Sequence, residues 1–382
     1  MVTIASVRIV EHFFFGLAIA FVIGFEFVNG FHDTANAVAT VIYTNTLKPV
    51  YAVIWSGVWN LIGALTSNGA VAFAIIALLP VELIVNTSSG QRLLMVLAIL
   101  SSAIIWNLGT WYLGLPVSST HSLIGAITGI GIANSYLSSE PWQHGVNWLK
   151  IQEILLSLVI SPLAGFLGAV IIFLTAKALI KQEELYTAPE ENVPSLWVRT
   201  LLILTCTGVS FAHGSNDGQK GIGLMMLVLA TISPSFIPLN FPLNMDASPQ
   251  AIAQSFVPSN PVIPYWVKIT IALALGLGTM IGWKRVVETV GEKIGKEHLN
   301  SAQGASAELV TMSTIAAADH FGLPVSTTHI LSSGIAGAMV ANGSGLQMHT
   351  LKNLLLAWVL TLPICTMLGF AIYAIGLFFY AR

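Results

Sequence analysis

Charge is what this chain lacks. Of its 382 residues only 8% are Asp, Glu, Lys or Arg, where soluble domains carry roughly a quarter, and 55% are hydrophobic. That excludes a large water-facing surface. With a formal net charge of −2 it also excludes the basic face that nucleic acid requires. Cysteine is just as scarce: Cys206 and Cys365 sit far apart inside apolar runs, which excludes a disulfide framework and a cysteine zinc site and marks both as small buried hydrophobes. No GxxxxGK[ST] loop and no dinucleotide fingerprint occurs, so nothing here hydrolyses ATP, no cofactor is called for, and the chain does not read as an enzyme.

What is present is long apolar sequence. Mean hydropathy is +0.80, and the runs at about 10–31, 50–79, 92–113, 150–177 and 352–380 reach the roughly 17–25 residues of a bilayer-spanning helix. Segments near 117–135, 197–211, 217–233, 265–283, 305–322 and 325–340 are shorter or interrupted by Gly, Pro or polar residues, and read as spans, half-helices or re-entrant hairpins. The runs are continuously apolar, which disfavours a barrel. No small-residue cleavage site follows the first of them, so it is expected to stay as an anchor. The expected fold is an all-α polytopic membrane protein of about 10–12 membrane segments.

The chain also says nearly the same thing twice. NGFHDTANAV at 29–38 is echoed by HGSNDGQKGI at 213–222, and LGLPVSSTH at 113–121 by FGLPVSTTH at 321–329. Asp33 falls on Asp217 at an offset of 184, and Ser118 and His121 fall on Ser326 and His329 at 208. Such duplication suits a transporter built from repeated halves with broken or re-entrant helices. The division is a first repeat at 1–180, a polar linker at 181–196 and a second repeat at 197–382. Grouped, the apolar segments give five in 10–177 and five in 197–380, and because five is odd the second half is expected to be inverted. With the N-terminus outside, Lys48, Lys177, Lys181, Arg199, Lys284, Arg285, Lys293, Lys296 and Lys352 all fall inside, as the positive-inside rule asks, and both termini lie outside. The proline-rich stretch 232–264 is then an external irregular loop.

The paired motifs carry the chemistry. Asp33 and Asp217 beside apolar helices would each cost several kcal/mol unpaired, so each asks for a cation, a proton or a hydrated path, and both are candidate metal ligands. Thr34 and Asn36 follow Asp33. Glu26 and Asp33 share a face if the helix continues, while Gly30 makes a break equally open. After Pro116, Ser118 or Ser119 can cap a helix whose free amides, with Ser118, Ser119 and Thr120, form a donor cluster suited to an oxyanion; Pro324 with Ser326, Thr327 and Thr328 repeats it. His121 and His329 follow, as structural donors, proton sensors or solute contacts. Lys220 has no first-half equivalent, since Asn36 stands there; it neutralises Asp217 or supplies a counter-charge to an anion.

These residues resemble the inorganic phosphate transporter family, specifically its bacterial low-affinity branch. The resemblance is carried by NGFHDTANAVATVIYT, IIWNLGTWYLGLPVSSTHSLIGAITGIG, FAHGSNDGQKGIGLMMLVL, LGLGTMIGWKRVVETVGEKIGK and GLPVSTTHILSSGIAG, and runs over essentially the whole chain. It implies proton-coupled symport of inorganic phosphate, largely as a neutral complex of a divalent metal such as magnesium with hydrogen phosphate, across the inner (plasma) membrane. Relatives use sodium, and a sulfate permease of the same fold is the neighbouring alternative. Carried over, Asp33, Asn36 and Asp217 are implied core solute and cation residues, and Ser118, Ser119, Ser326 and Thr327 implied oxygen ligands. Glu26, His121 and His329 join Asp33, Asn36 and Asp217 as candidates for the coupling proton or sodium. Partners are phosphate and the lipid bilayer, with a homodimer open.

Overall fold

A computed structural model of the chain describes residues 4–33, 35–78, 87–138, 141–187, 193–232 and 263–380. Thr34 and nearly all of the 232–264 excursion lie outside the described residues. The helices are α1 (Ile4–Asp33), α2 (Ala35–Tyr43), α3 (Pro49–Thr66), α4 (Ala70–Ile76), α5 (Ser89–Tyr112), α6 (Ser119–Leu137), α7 (Trp148–Leu179), α8 (Leu196–Ile232), α9 (Tyr265–Thr279), α10 (Lys284–Glu292), α11 (Ser301–His320), α12 (Thr327–Asn342) and α13 (Met348–Tyr380). Among the described residues the extended pairing is one isolated bridge, Gly295 with Leu346.

Among the described residues six helical stretches are each long and apolar enough to cross a membrane, and α9 with α10, bent by 64°, raises the number to seven if the pair is one span. Helices α7 and α13 turn apolar side chains outward, Leu156, Leu163 and Leu167 on one and Leu355, Leu356 and Met367 on the other. Such a continuous apolar exterior is stable only against lipid. Inward they present small residues, Ser161, Gly165 and Ala169 on α7 and Thr361, Cys365 and Gly369 on α13. Helices α6, α11 and α12 run through the interior, most of their residues buried.

The packing is reciprocal. Helix α6 lies on α13 as α12 lies on α7, α1 lies on α9 as α8 lies on α3, and α5 meets α6 as α11 meets α12. The closest approaches repeat too. A Cβ at Gly30 would stand 2.3 Å from the Leu275 carbonyl oxygen, and one at Gly214, its counterpart 184 residues on, 2.1 Å from that of Asn60. Gly30 therefore serves helix contact, not a break: α1 continues through it to Asp33.

One sequence expectation needs correcting. The apolar run 50–79 is interrupted, because α3 ends at Thr66 and the chain turns at Gly69, with φ +89°, before α4. The segments near 197–211 and 217–233, left open between spans and half-helices, join in one helix of 37 residues, α8, which ends at Ile232. Its polar centre stays helical because tertiary partners take up the side chains. His213 reaches Asn60, Ser215 and Gln219 both reach Asp319, and Asn216 donates to the Leu323 carbonyl. Helix α8 thereby passes from one hydrophobic core, around α2, α11 and α12, to another around α4, α5 and α6. The polar residues lie where it crosses.

Candidate functional site

The two GLP turns build matching helix starts. Gly114 at φ +68° and Gly322 at φ +65° adopt a left-handed conformation that glycine tolerates, and the prolines that follow prevent the preceding helices from continuing. Ser118 then caps α6 by accepting the His121 amide at 3.2 Å, and Ser326 caps α12 by accepting the His329 amide at 3.2 Å. With these two oxygens committed to their own helices, the next hydroxyls, Ser119, Thr327 and Thr328, are the ones that face the aspartates and Asn36.

Asp33 ends α1 and is buried. Its Oδ1 accepts from Thr328 Oγ1 at 2.7 Å and its Oδ2 from Ser119 Oγ at 3.2 Å, so one carboxyl gathers hydroxyls from both helix starts. Asn36 Nδ2 donates to Thr327 and Thr328, both at 3.0 Å. Asp217, at the middle of α8, meets Lys220 Nζ at 2.5 Å, and the same ammonium donates to Ser119 Oγ at 3.1 Å. The geometry is a crossed pair: Asn36 of the first half reaches Thr327 of the second, and its positional counterpart Lys220 reaches Ser119 of the first.

His213 joins the two aspartates. Asn60 turns its amide nitrogen to Ser56 and its carbonyl to His213 Nδ1, 2.6 Å away, so Nδ1–H is the donor there. Nε2 then points at Asp217 Oδ2 (3.4 Å) and Asp33 Oδ2 (3.8 Å). A neutral imidazole would aim a lone pair at two carboxylates; a proton on Nε2 turns that repulsion into two charge-assisted contacts. The three ligand atoms lie within 4.8 Å of one another, close enough to share one cation. Asp217 Oδ1 and Asn36 Oδ1 are buried without hydrogen-bond partners, two spare oxygen acceptors of the kind a hard cation takes. The described residues of this centre, His32, Asp33, Asn36, Ser119, His213, Asp217, Lys220, Thr327 and Thr328, are all buried.

The remaining sequence candidates stand around it. Thr120 donates to the Val325 carbonyl at 2.9 Å, tying one GLP turn to the other. The His121 and His329 rings lie 4.7 Å apart, and His329 stacks on Trp358 at 3.9 Å. Glu26 accepts from Asn29 at 3.3 Å and abuts Gly221 of α8. It shares a face with Asp33 now that α1 is continuous, though its contacts are to Asn29 and α8.

Sequence reasoning passed over His213, His32 and Asn60. His32 Nδ1 lies 3.4 Å from Asp33 Oδ1 and Nε2 3.4 Å from Thr110 Oγ1. The signals were there: His213 stands four residues before Asp217, on the same helical face, and Asn60 is a lone amide in an apolar run.

A helical bundle that turns apolar faces outward and gathers two aspartates, a histidine and a lysine in one buried centre has the build of a membrane transporter. The chain belongs to the phosphate transporter family, which it matches over residues 29–369. That family is one of transporters, not enzymes. The chain is 36% identical to the low-affinity inorganic phosphate transporter PitA of Escherichia coli, covering 95% of this chain and 96% of that one. It is 37% identical to the low-affinity inorganic phosphate transporter of Buchnera aphidicola, with 95% and 96% covered. Among solved structures, the sodium-dependent phosphate transporter shares the fold, with a TM-score of 0.74, 22% identity, and 96% of this chain and 99% of that one covered.

Proposed function

We propose that this protein carries inorganic phosphate across the inner membrane by symport with protons, the anion travelling largely as a neutral complex of divalent metal and hydrogen phosphate. One observation carries the reading. Two helix starts bearing hydroxyls converge on Asp33 from opposite halves while Asp217 stands beside it across His213. Amides and hydroxyls of the helix starts suit the oxyanion, and the two carboxylates suit the metal or a proton. Pairing the two cargoes removes much of the cost of moving a bare anion through low dielectric. Hydrogen phosphate keeps a proton it can donate to a carboxylate, which sulfate at neutral pH lacks, and that favours phosphate. Ser119, Thr327 and Thr328 are the foremost oxyanion donors, with Ser118, Thr120 and Ser326 behind them, and Asp33, Asn36, Asp217 and Lys220 complete the site.

The test is uptake into proteoliposomes with proton and sodium gradients imposed separately and magnesium present or absent. Accumulation driven by an inward proton gradient and raised by magnesium is expected. A strict sodium requirement, indifferent to pH and magnesium, would replace the proton reading with sodium symport.

The halves, 1–180 and 197–382, act in this reading as inverted repeats rocking about the centre, with both termini outside. A cysteine in the Lys284–Lys296 connection is expected to react only from the cytoplasm, and one in the 232–264 loop only from outside. The native Cys206 and Cys365 are buried and leave a clean background. Labelling of both from one side would overturn the topology.

A further inference from the structure

A cavity of about 700 Å³ opens where the chain enters α3 beside the 64° elbow between α9 and α10, lined by Lys48, Pro49, Val50, Tyr51, Trp283 and Lys284. It shares no residue with the centre just described. Its walls carry two ammoniums and no carboxylate. Among the described residues neither lysine makes an ion pair, and Glu288, one turn beyond Lys284, is paired with Lys293 at 2.8 Å. Tyr51 and Trp283 are aromatic residues of the kind enriched where bilayer meets water. Two apolar stripes lead away from the cavity. Helices α3 and α9 run antiparallel, since the start of α3 meets the elbow while Lys268, near the start of α9, donates to the Ser67 carbonyl just past the end of α3 at 2.7 Å. Val50, Ile54 and Val58 therefore descend α3 alongside Ile281, Leu277 and Leu273 at the end of α9, and all six are exposed. Between the stripes the helices touch at glycines: a Cβ on Gly57 would stand 2.7 Å from the Gly276 carbonyl oxygen. The result is a charged cavity that continues into an apolar groove.

We propose that this cavity and groove hold one anionic glycerophospholipid, its phosphate between Lys48 and Lys284 and its acyl chains along the two stripes. Charge complementarity selects the headgroup: two ammoniums without a countercharge attract an anion, whereas a zwitterionic headgroup brings its own cation against them. The stripes select a lipid, because free phosphate would leave them uncovered. In the topology proposed above both lysines face the cytoplasm, the side on which anionic lipids draw basic residues to the membrane surface. The seat also touches the transport machinery. On its other side the elbow holds the first GLP turn: Trp111 Nε1 donates to the Gly282 carbonyl at 2.7 Å, Arg285 to that of Tyr112 at 2.6 Å and Thr289 Oγ1 to that of Gly114 at 2.8 Å. A lipid bridging the start of α3 and the start of α10 steadies the elbow, and with it the turn that presents Ser119 to Asp33.

The test is native mass spectrometry of the full-length protein in detergent, titrated with phosphatidylglycerol or with phosphatidylcholine. Wild type is expected to retain one phosphatidylglycerol in preference to phosphatidylcholine. Lys48→Gln combined with Lys284→Gln is expected to lose roughly 10- to 30-fold of that affinity, about fivefold for each surface cation, and the matching pair of arginine substitutions to keep it. Equal affinity in wild type and the glutamine variant, or no preference between the two lipids in wild type, overturns the proposal. Displacement of phosphatidylglycerol by inorganic phosphate also overturns it, in favour of a free-anion site. Should the double variant fail to fold, Lys48→Gln alone is expected to lose about fivefold, and an unmoved affinity overturns the site. In proteoliposomes, phosphatidylglycerol is expected to quicken phosphate exchange by wild type and not by the glutamine variant; exchange by wild type that ignores the lipid overturns the link from the elbow to the GLP turn.

Discussion

Asp33 and Asp217 occupy matching places in the two halves and keep different company. Asp33 is held by neutral hydroxyls from both helix starts; Asp217 is held by a buried ammonium and keeps one oxygen unpartnered. The exchange that places the ammonium is Asn36 in one repeat for Lys220 in the other, beside Asn29 for His213 and His32 for Asn216. The duplication supplies a matched scaffold, and these exchanges make the half-sites unequal: one gathers hydroxyl donors, the other carries a fixed countercharge. A site for cation and anion together needs both kinds of half.

Removing each acid breaks the comparison hardest. Asp33→Asn and Asp217→Asn are both expected to abolish measurable phosphate uptake in proteoliposomes while inserting normally. They should differ in stability. Asp33→Asn keeps neutral donors facing a neutral amide, whereas Asp217→Asn strands the buried Lys220 ammonium, at a cost of about 3–5 kcal/mol, and adding Lys220→Met should recover the melting temperature. Equal melting of the two single variants would show that Lys220 is not compensated by Asp217.

The serines sharpen it at smaller scale. Ser119→Ala is expected to weaken phosphate binding by about 1.5–3 kcal/mol, roughly 10- to 150-fold by calorimetry, for one lost charge-assisted hydrogen bond. Ser118→Ala, which removes a helix cap, should lower stability by about 0.5–2 kcal/mol with affinity nearly intact. Equal affinity losses would return Ser118 to the ligand set.

The smallest effect lies far from the centre, in the linker between the halves. The Ser195 backbone amide donates to Glu184 Oε1 at 2.5 Å and holds that exposed carboxyl below its ordinary value. The contact is therefore present above the usual carboxylate range and lost as pH falls through the lowered value. Hydrogen exchange at the Ser195 amide should quicken on acidification, and Glu184→Gln should abolish that pH dependence without altering uptake. Unchanged exchange on acidification would show that the linker is fixed by other contacts.

Composition, the repeated motifs and the helix grammar of GLPVSST settled by themselves that this is a helical membrane protein with two matched helix starts and two buried aspartates. Those properties are local: apolar run length, a proline stop and a capping hydroxyl are readable residue by residue. Long-range contacts decided the rest. The Gly-rich stretch around Asp217 reads as a break, yet stays helical because Asn60, Asp319 and Leu323 take up its polar groups. Gly30, equally ambiguous, turns out to be the point of contact with α9. Which hydroxyl caps and which faces an aspartate, and that His213 bridges two acids 184 residues apart, follow from helices of opposite halves meeting at one place. No spacing along the chain encodes that meeting, because it depends on how the reciprocal packing of the two halves is satisfied as a whole.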